Sequence, residues 1–211
     1  MRKGLFITFE GVDGCGKSTQ MRFLSEHLER LGYNCVLTRE PGGCSISEQI
    51  RSILLSVENK NMDCRTEALL YAAARVQHIN EVIMPAVAEG KIVLCDRFLD
   101  SSIAYQGYGR GLGKEFVLGI NAYAMNNAMP DATFFFECPP KSAFTRMNPA
   151  KQMDRLEQET MTFFERVFAG YQAIAAEEPA RVIKIDASGS KYETSQKVKA
   201  IAEKRIADLA G

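Results

Sequence analysis

Histidine is almost missing from this chain: His27 and His78 are the only two in 211 residues. The six cysteines, Cys15, Cys35, Cys44, Cys64, Cys95 and Cys138, include no C-x-x-C pair. The two scarcities together argue against a zinc site. Several of the cysteines sit on or beside apolar runs and read as reduced, small core residues. Net charge is absent too. The 26 Lys and Arg balance 26 Asp and Glu, so neither a nucleic-acid stripe nor a membrane-binding face is expected. No apolar run reaches the length of a membrane span, and the first residues lead straight into a strand rather than a signal peptide. A cytoplasmic location is the expectation that follows. Internal repeats, low-complexity tracts and linkers are also lacking, so one domain over residues 1–211 is expected. At 46% hydrophobic and 25% charged, the chain has an ordinary globular balance and enough length to bury a sizeable core.

What is present begins with Gly11-Val12-Asp13-Gly14-Cys15-Gly16-Lys17-Ser18-Thr19, a G-x-x-x-x-G-K-S phosphate-binding loop. The apolar, β-branched run Leu5–Phe9 precedes it and a helical stretch, Gln20–Leu31, follows, which is the context the motif requires. Glycines let successive N–H groups curl toward one anion, and the helix adds its free N–H groups and the positive end of its dipole. Lys17 supplies a charge for the outer phosphates and Ser18 a hydroxyl for Mg²⁺. Cys15 has two readings, a thiolate stabilised at the helix mouth or a small residue tolerated in the loop; the second is favoured.

Four more short apolar runs follow, near 34–38, 91–96, 133–137 and 181–186, separated by helical patterns at 46–55, 65–88, 114–127, 141–146, 157–176 and 192–209. Strands alternating with helices predict an α/β fold, a five-stranded parallel sheet with helices on both faces. Pro85 is expected to bend the long 65–88 helix near its end. Residues 97–113 read as a polar, glycine-rich segment too hydrophilic for a core element. The loop-borne motifs fall at the carboxyl ends of the strands, where such sheets bind ligands.

Asp96 ends an apolar strand, where proteins with this loop place an acid near Mg²⁺. Arg39, Arg97, Arg146 and Arg155 sit in predicted loops or at element ends. Phosphoryl transfer needs cations around the equatorial oxygens, and two phosphorylated substrates need more of them than one. The polar, basic stretch between the fifth and sixth helical patterns reads as a lid, about 146–156, that closes over the transferring phosphate and excludes water.

These residues, with Thr38-Arg39-Glu40-Pro41-Gly42-Gly43, Tyr71-Ala72-Ala73-Ala74-Arg75, Asp96-Arg97-Phe98-Leu99-Asp100-Ser101-Ser102-Ile103-Ala104-Tyr105-Gln106-Gly107 and Asp154-Arg155-Leu156-Glu157, resemble the thymidylate kinases over nearly the whole chain. The resemblance implies a three-layer P-loop kinase fold that passes the γ-phosphoryl of ATP to dTMP with Mg²⁺, on the way to dTTP, and a homodimer. It implies that Asp13 lies by the acceptor phosphate and Mg²⁺, and that Arg39 and Arg97 hold that phosphate. Tyr71 would stack on thymine and Arg75 would bond the base edge. Ser102 and Gln106 would line base and sugar, and Tyr105 would crowd the ribose 2′ side. Gly14-Cys15 stands where some members carry a P-loop arginine, so the lid is expected to supply the cation, Arg155 first, with Arg146 and Lys151 behind it. The bland reading of Tyr71 is helix core.

Two other readings remain open on the sequence. One is a kinase for a different monophosphate. The other is a GTPase switch, whose N-K-x-D guanine signal Asn59-Lys60-Asn61-Met62-Asp63 approaches with one residue too many.

Overall fold

In the computed structural model, which describes residues 4–146 and 153–210, the five apolar runs are β1 (Leu5–Glu10), β2 (Cys35–Arg39), β3 (Ile92–Asp96), β4 (Ala132–Glu137) and β5 (Val182–Asp186). They pair in the order β2-β3-β1-β4-β5, every ladder parallel. The helices are α1 (Lys17–Arg30), α2 (Ser45–Leu55), α3 (Cys64–His78), α4 (Met84–Ala88), α5 (Leu99–Ser102), α6 (Lys114–Ile120), α7 (Ala122–Asn127), α8 (Pro140–Phe144), α9 (Met161–Glu177) and α10 (Lys191–Ala210). The expected α/β architecture is what the chain adopts.

The central strands are apolar on both faces because helices cover both. Phe134, Phe135 and Phe136 on β4 are all buried. Phe9 of β1 meets Phe134 edge-on at 5.6 Å and stacks on Phe136 at 5.8 Å, while Phe135 stacks on Tyr171 of α9 at 5.2 Å. Such aromatic contacts add to the burial energy that dominates folding.

Register is what positions the site. Asp96 pairs with Phe9 on one side and with Arg39 on the other. The ends of β1, β3 and β2 are therefore level, and the loops that leave them, 11–16, 97–98 and 40–44, open side by side at the carboxyl edge of the sheet.

Two expected boundaries move. The segment 97–113, expected to lie outside the core, is a core element instead. α5 runs on into wide, π-type turns over Ile103–Gly109, with Ile103, Ala104, Tyr105, Gln106, Gly107 and Gly109 buried. Its polar groups are satisfied by partners far away in sequence, and its glycines let α9 approach closely: a Cβ on Gly109 would lie 2.7 Å from the Phe163 ring. The helix expected from Glu157 begins at Met161, since the Thr160 side chain caps it through Phe163 N. Upstream, Asp154 Oδ1 takes the N–H groups of Leu156 and Glu157 into a separate turn. The long 65–88 pattern stays helical but widens over Ile79–Ile83, just before Pro85, the residue whose missing N–H breaks a regular ladder. The expected lid lies partly outside the described residues, Lys151 included; Arg146 and 153–156 lie within them.

Candidate active site

The phosphate end grows out of β1. Gly16 adopts φ +98° immediately before α1, a conformation glycine takes without strain, and Lys17 begins the helix. The Lys17 ammonium folds back over the loop, donating to Gly11 O at 3.0 Å and Val12 O at 3.1 Å. Ser18 Oγ donates to Asp96 Oδ2 at 2.7 Å, which joins the start of α1 to the end of β3. The other oxygen, Asp96 Oδ1, is buried and has no hydrogen-bond partner among the described residues. Burial pushes the Cys15 thiol up, more than Lys17 and Arg97 bring it down, so Cys15 is a small buried residue of the loop and not a stabilised thiolate.

Arg97 is the hinge between this end and the next. Its backbone lies at φ +73°, a left-handed conformation that a non-glycine residue holds only when its surroundings impose it. Here they do: Arg97 N donates to Phe9 O at 3.0 Å, and the following N–H, of Phe98, donates to Glu10 Oε1 at 2.7 Å. The guanidinium donates to Asp13 Oδ1 at 2.7 Å, to Gly11 O at 3.0 Å and to Tyr171 Oη at 3.2 Å, and lies 5.0 Å from the centre of the Tyr105 ring. Burial works against its charge, but Asp13 together with Tyr105, Tyr171 and Asp96 outweighs burial, so the cation is held more firmly than usual. Glu10 beneath it is completely buried. Burial, and then the charge of Asp100, push its carboxyl up to about 7 against the hydrogen bond from Ser101.

Two adjoining cavities flank Arg97. One, about 360 Å³, is lined by the loop residues Asp13, Gly14 and Gly16 to Thr19, with Asp96, Arg39, Arg51 and Arg146. The other, about 130 Å³, is lined by Tyr71, Arg75, Phe98, Ser102, Tyr105, Gln106 and Leu156. Asp13, Glu40, Arg51 and Arg97 line both. At the mouth, Arg39 is half exposed and forks onto both oxygens of Glu48, at 2.9 and 3.0 Å. In the inner cavity Arg75 is buried beneath a full set of partners. It donates to Glu40 at 2.7 Å, Asn121 at 2.5 Å, and both Phe98 O and Ser102 Oγ at 3.0 Å. Glu40 in turn takes His78 Nδ1 at 3.0 Å, and His78 Nε2 meets Thr38 Oγ1 at 2.7 Å. The Tyr71 phenol, raised by burial, stays neutral and offers an aromatic face.

All the expected acceptor-site residues, Asp13, Arg39, Tyr71, Arg75, Arg97, Ser102, Tyr105 and Gln106, thus meet at one cleft. Arg155 does not. Expected first among the lid cations, it is buried with Nη2 on Glu67 at 2.7 Å and Nε on Leu54 O at 2.8 Å, and it lines neither cavity. A charge this deep needs its carboxylate, and Glu67 holds it there. Arg146, by contrast, lines the phosphate cavity, steadied by Ala187 O at 2.8 Å. Sequence reasoning missed Arg51, which lines both cavities from α2 and donates to Pro41 O at 2.8 Å, and gave no task to the buried acids Glu10, Glu40 and Glu67, although Glu40 stands within a quoted motif. The residue Asp63 of the near-match to a guanine motif caps α3, accepting from Arg65 N and Thr66 N, so it has a structural task.

A parallel sheet whose central strand feeds this loop, with the loop hydroxyl bonded to the acid that ends the neighbouring strand, defines a P-loop nucleoside triphosphate-binding protein. Comparison with known proteins narrows the class. The family model described as thymidylate kinase matches residues 9–198. The thymidylate kinase of Geotalea uraniireducens (strain Rf4) is 46% identical over 97% of this chain and 99% of its own, and that of Bacillus velezensis (strain DSM 23117 / BGSC 10A6 / LMG 26770 / FZB42) is 50% identical over 89% and 90%. The crystal structure of thymidylate kinase from Ehrlichia chaffeensis superposes with a TM-score of 0.77 at 34% identity, covering 95% of this chain and 98% of that one. The chain belongs to the thymidylate kinase family.

Proposed function

We propose that this protein transfers the γ-phosphoryl group of ATP to dTMP, giving dTDP and ADP. One observation carries the reading: the loop cavity and the inner cavity share Asp13 and Arg97 as a common wall. A donor triphosphate on the loop and an acceptor monophosphate in the inner cavity would meet there, so positioning rather than a covalent intermediate performs the reaction. Lys17 and the N–H groups of the loop hold the donor phosphates. Arg97 and Arg39 hold the acceptor phosphate, with Arg51 beside them. Tyr71 stacks on the base, Arg75 and Gln106 meet its edge, Ser102 lines the sugar and base, and Tyr105 crowds the ribose 2′ side. Arg146, ahead of Arg155, supplies the lid cation for the charge that develops on the transferring group.

The residues present fit a Mg²⁺ ion. The unpartnered buried oxygen of Asp96 and the Ser18 hydroxyl beside it form a hard-oxygen donor pair, with Asp13 across the cleft. Bound there, the ion would neutralise phosphate charge.

The assembly reading is a homodimer. Leu69 and Val76 on α3, with Ile46 and Ile53 on α2, are large apolar side chains left exposed in the single chain, a pattern that marks contact surfaces. No helix among the described residues is long and apolar enough to cross a membrane, and the balanced charge supports neither a nucleic-acid nor a membrane partner. A cytoplasmic location and a single domain belong to the same reading.

The test is ADP release from ATP and Mg²⁺ with dTMP, dUMP, UMP, CMP and AMP as acceptors. Strong preference for dTMP is the expected result. Turnover with another monophosphate would overturn the base assignment, and hydrolysis without transfer to any acceptor would overturn the kinase reading itself.

A further inference from the structure

Glu67 lies in the first turn of α3 and does not line the inner cavity, yet it is 1% exposed and fully engaged. Its Oε1 accepts from Gln106 Nε2 at 2.9 Å and Arg110 Nε at 3.2 Å; its Oε2 accepts from Arg110 Nη2 at 3.0 Å and Arg155 Nη2 at 2.7 Å. Burial pushes this carboxyl up, but the bonds and charge of Arg110, with Gln106 and Arg155, outweigh it and leave Glu67 below its usual range.

An ionised carboxylate can only accept hydrogen bonds. Gln106 must therefore turn its NH₂ to Glu67 and its carbonyl the other way. Gln106 lines the cavity, and no hydrogen bond reaches its Oε1 from the described residues. On the same cavity wall, Arg75 spends four of its five N–H groups on Glu40, Asn121, Phe98 O and Ser102. One N–H of Nη1 remains. Between them, Arg75 and Gln106 thus offer one donor and one acceptor. A 4-oxo pyrimidine presents an acceptor at O4 beside a donor at N3–H, whereas a 4-amino pyrimidine reverses both.

We propose that Glu67 is a specificity-determining positioning residue: as the acceptor-only partner of Gln106, it fixes the amide so that the pocket selects a 4-oxo over a 4-amino pyrimidine. Gln106 alone could show either end of its amide to a base; the choice resides in the carboxylate behind it. This inference rests on the dTMP kinase reading and extends it from which base is held to why its amino counterpart is refused.

The test is kcat/KM for dTMP and for dCMP, in the unaltered protein and in Glu67→Gln. In the variant, the two arginines claim the carbonyl of the new side chain and leave its NH₂ facing Gln106. The Gln106 carbonyl then turns toward that NH₂, and its own NH₂ turns to the cavity. The dTMP-to-dCMP ratio of kcat/KM is expected to fall about tenfold or more, since a buried polar mismatch decides such ratios, while kcat with dTMP changes by less than about threefold. A Glu67 that merely braces the fold would depress both substrates alike, and an unmoved ratio overturns the proposal. Arg110→Met removes one cation and leaves the Gln106–Glu67 bond; it is expected to lower Tm and hold the ratio within about twofold. A collapsed ratio there also overturns the proposal. If Glu67→Gln does not fold, Glu67→Asp keeps the charge and withdraws the oxygen from Gln106, and an unmoved ratio in that variant is equally fatal. Failure of the unaltered protein to phosphorylate dTMP would defeat the functional reading and this inference together, whereas dTMP turnover with an unmoved ratio defeats this inference alone.

Discussion

The two ends of the cleft are built by different physics. At the phosphate end, backbone does the holding: a loop of glycines, the first turn of α1 and a lysine folded over them, all within residues 11–19, around an open hollow of about 360 Å³. At the base end, side chains hold one another. Arg75, Glu40, His78 and Glu67 are each buried, and each bonds to at least one residue 35 or more positions away. The difference teaches where fragility lies. Backbone amides are present whatever the side chains, so the phosphate end tolerates side-chain loss structurally while depending on it chemically. Buried charges need every partner, so the base end couples recognition to folding.

Lys17→Ala sets the first extreme. It removes the charge on the outer phosphates but leaves loop and helix in place, so kcat is expected to drop about 10³-fold or more with an unchanged far-ultraviolet spectrum and Tm. A variant that unfolds instead would erase the contrast. Arg75→Ala sets the other. It strands Glu40 and Asn121 in the interior, and urea unfolding is expected to show a loss of about 3 kcal/mol or more, with the KM for dTMP rising well beyond the KM for ATP. A near-native stability would mean that the base end is as forgiving as the loop.

Glu10 sharpens the comparison through pH. Its carboxyl rises from 4.5 to about 7 on folding, so between those values the folded state keeps a proton that the unfolded state has lost. Stability attributable to Glu10 is then greatest below about pH 4.5, erodes as pH rises, and is lost above about 7, by on the order of 3 kcal/mol. Unfolding free energies of the unaltered protein and Glu10→Gln, measured at pH 5 and pH 8, are expected to shift in favour of the variant at the higher value. The smallest effect expected is that of Arg146→Ala. It should lower kcat by about 10- to 100-fold and leave the KM for dTMP nearly unchanged, because Arg146 lines the phosphate hollow alone. Arg155→Ala is expected to act chiefly on Tm, by releasing Glu67.

That contrast also explains how much the sequence disclosed. All five strands were legible because each is a short apolar run between turn signals, and the loop was legible because its function requires fixed spacing over eight consecutive positions. The base end was legible only where a family resemblance named its residues. The task of Arg155 was not legible, because its deciding partner, Glu67, lies 88 positions upstream. The burial of 97–113 was hidden for the same reason. Local polarity argues for solvent, and only the assembled fold supplies Glu10 for Ser101 at 2.5 Å and Glu67 for Gln106 and Arg110. The start of α9 was misplaced by four residues because Glu157 suits a helix, while Asp154 and Thr160 both act on N–H groups in a way that only coordinates reveal.

In the cleft, Arg97 faces Asp13 at 2.7 Å and Arg39 grips Glu48. A phosphate arriving at either of these two arginines exchanges places with a carboxylate of the same chain. Ionic strength weakens both partners in that exchange, so affinity is expected to vary less with salt than a tally of arginines suggests. A free inorganic anion, bringing no base to anchor it, has little with which to displace the resident acids. At Arg39 and Arg97 the chain's own acids are the ligands that a nucleotide phosphate must displace.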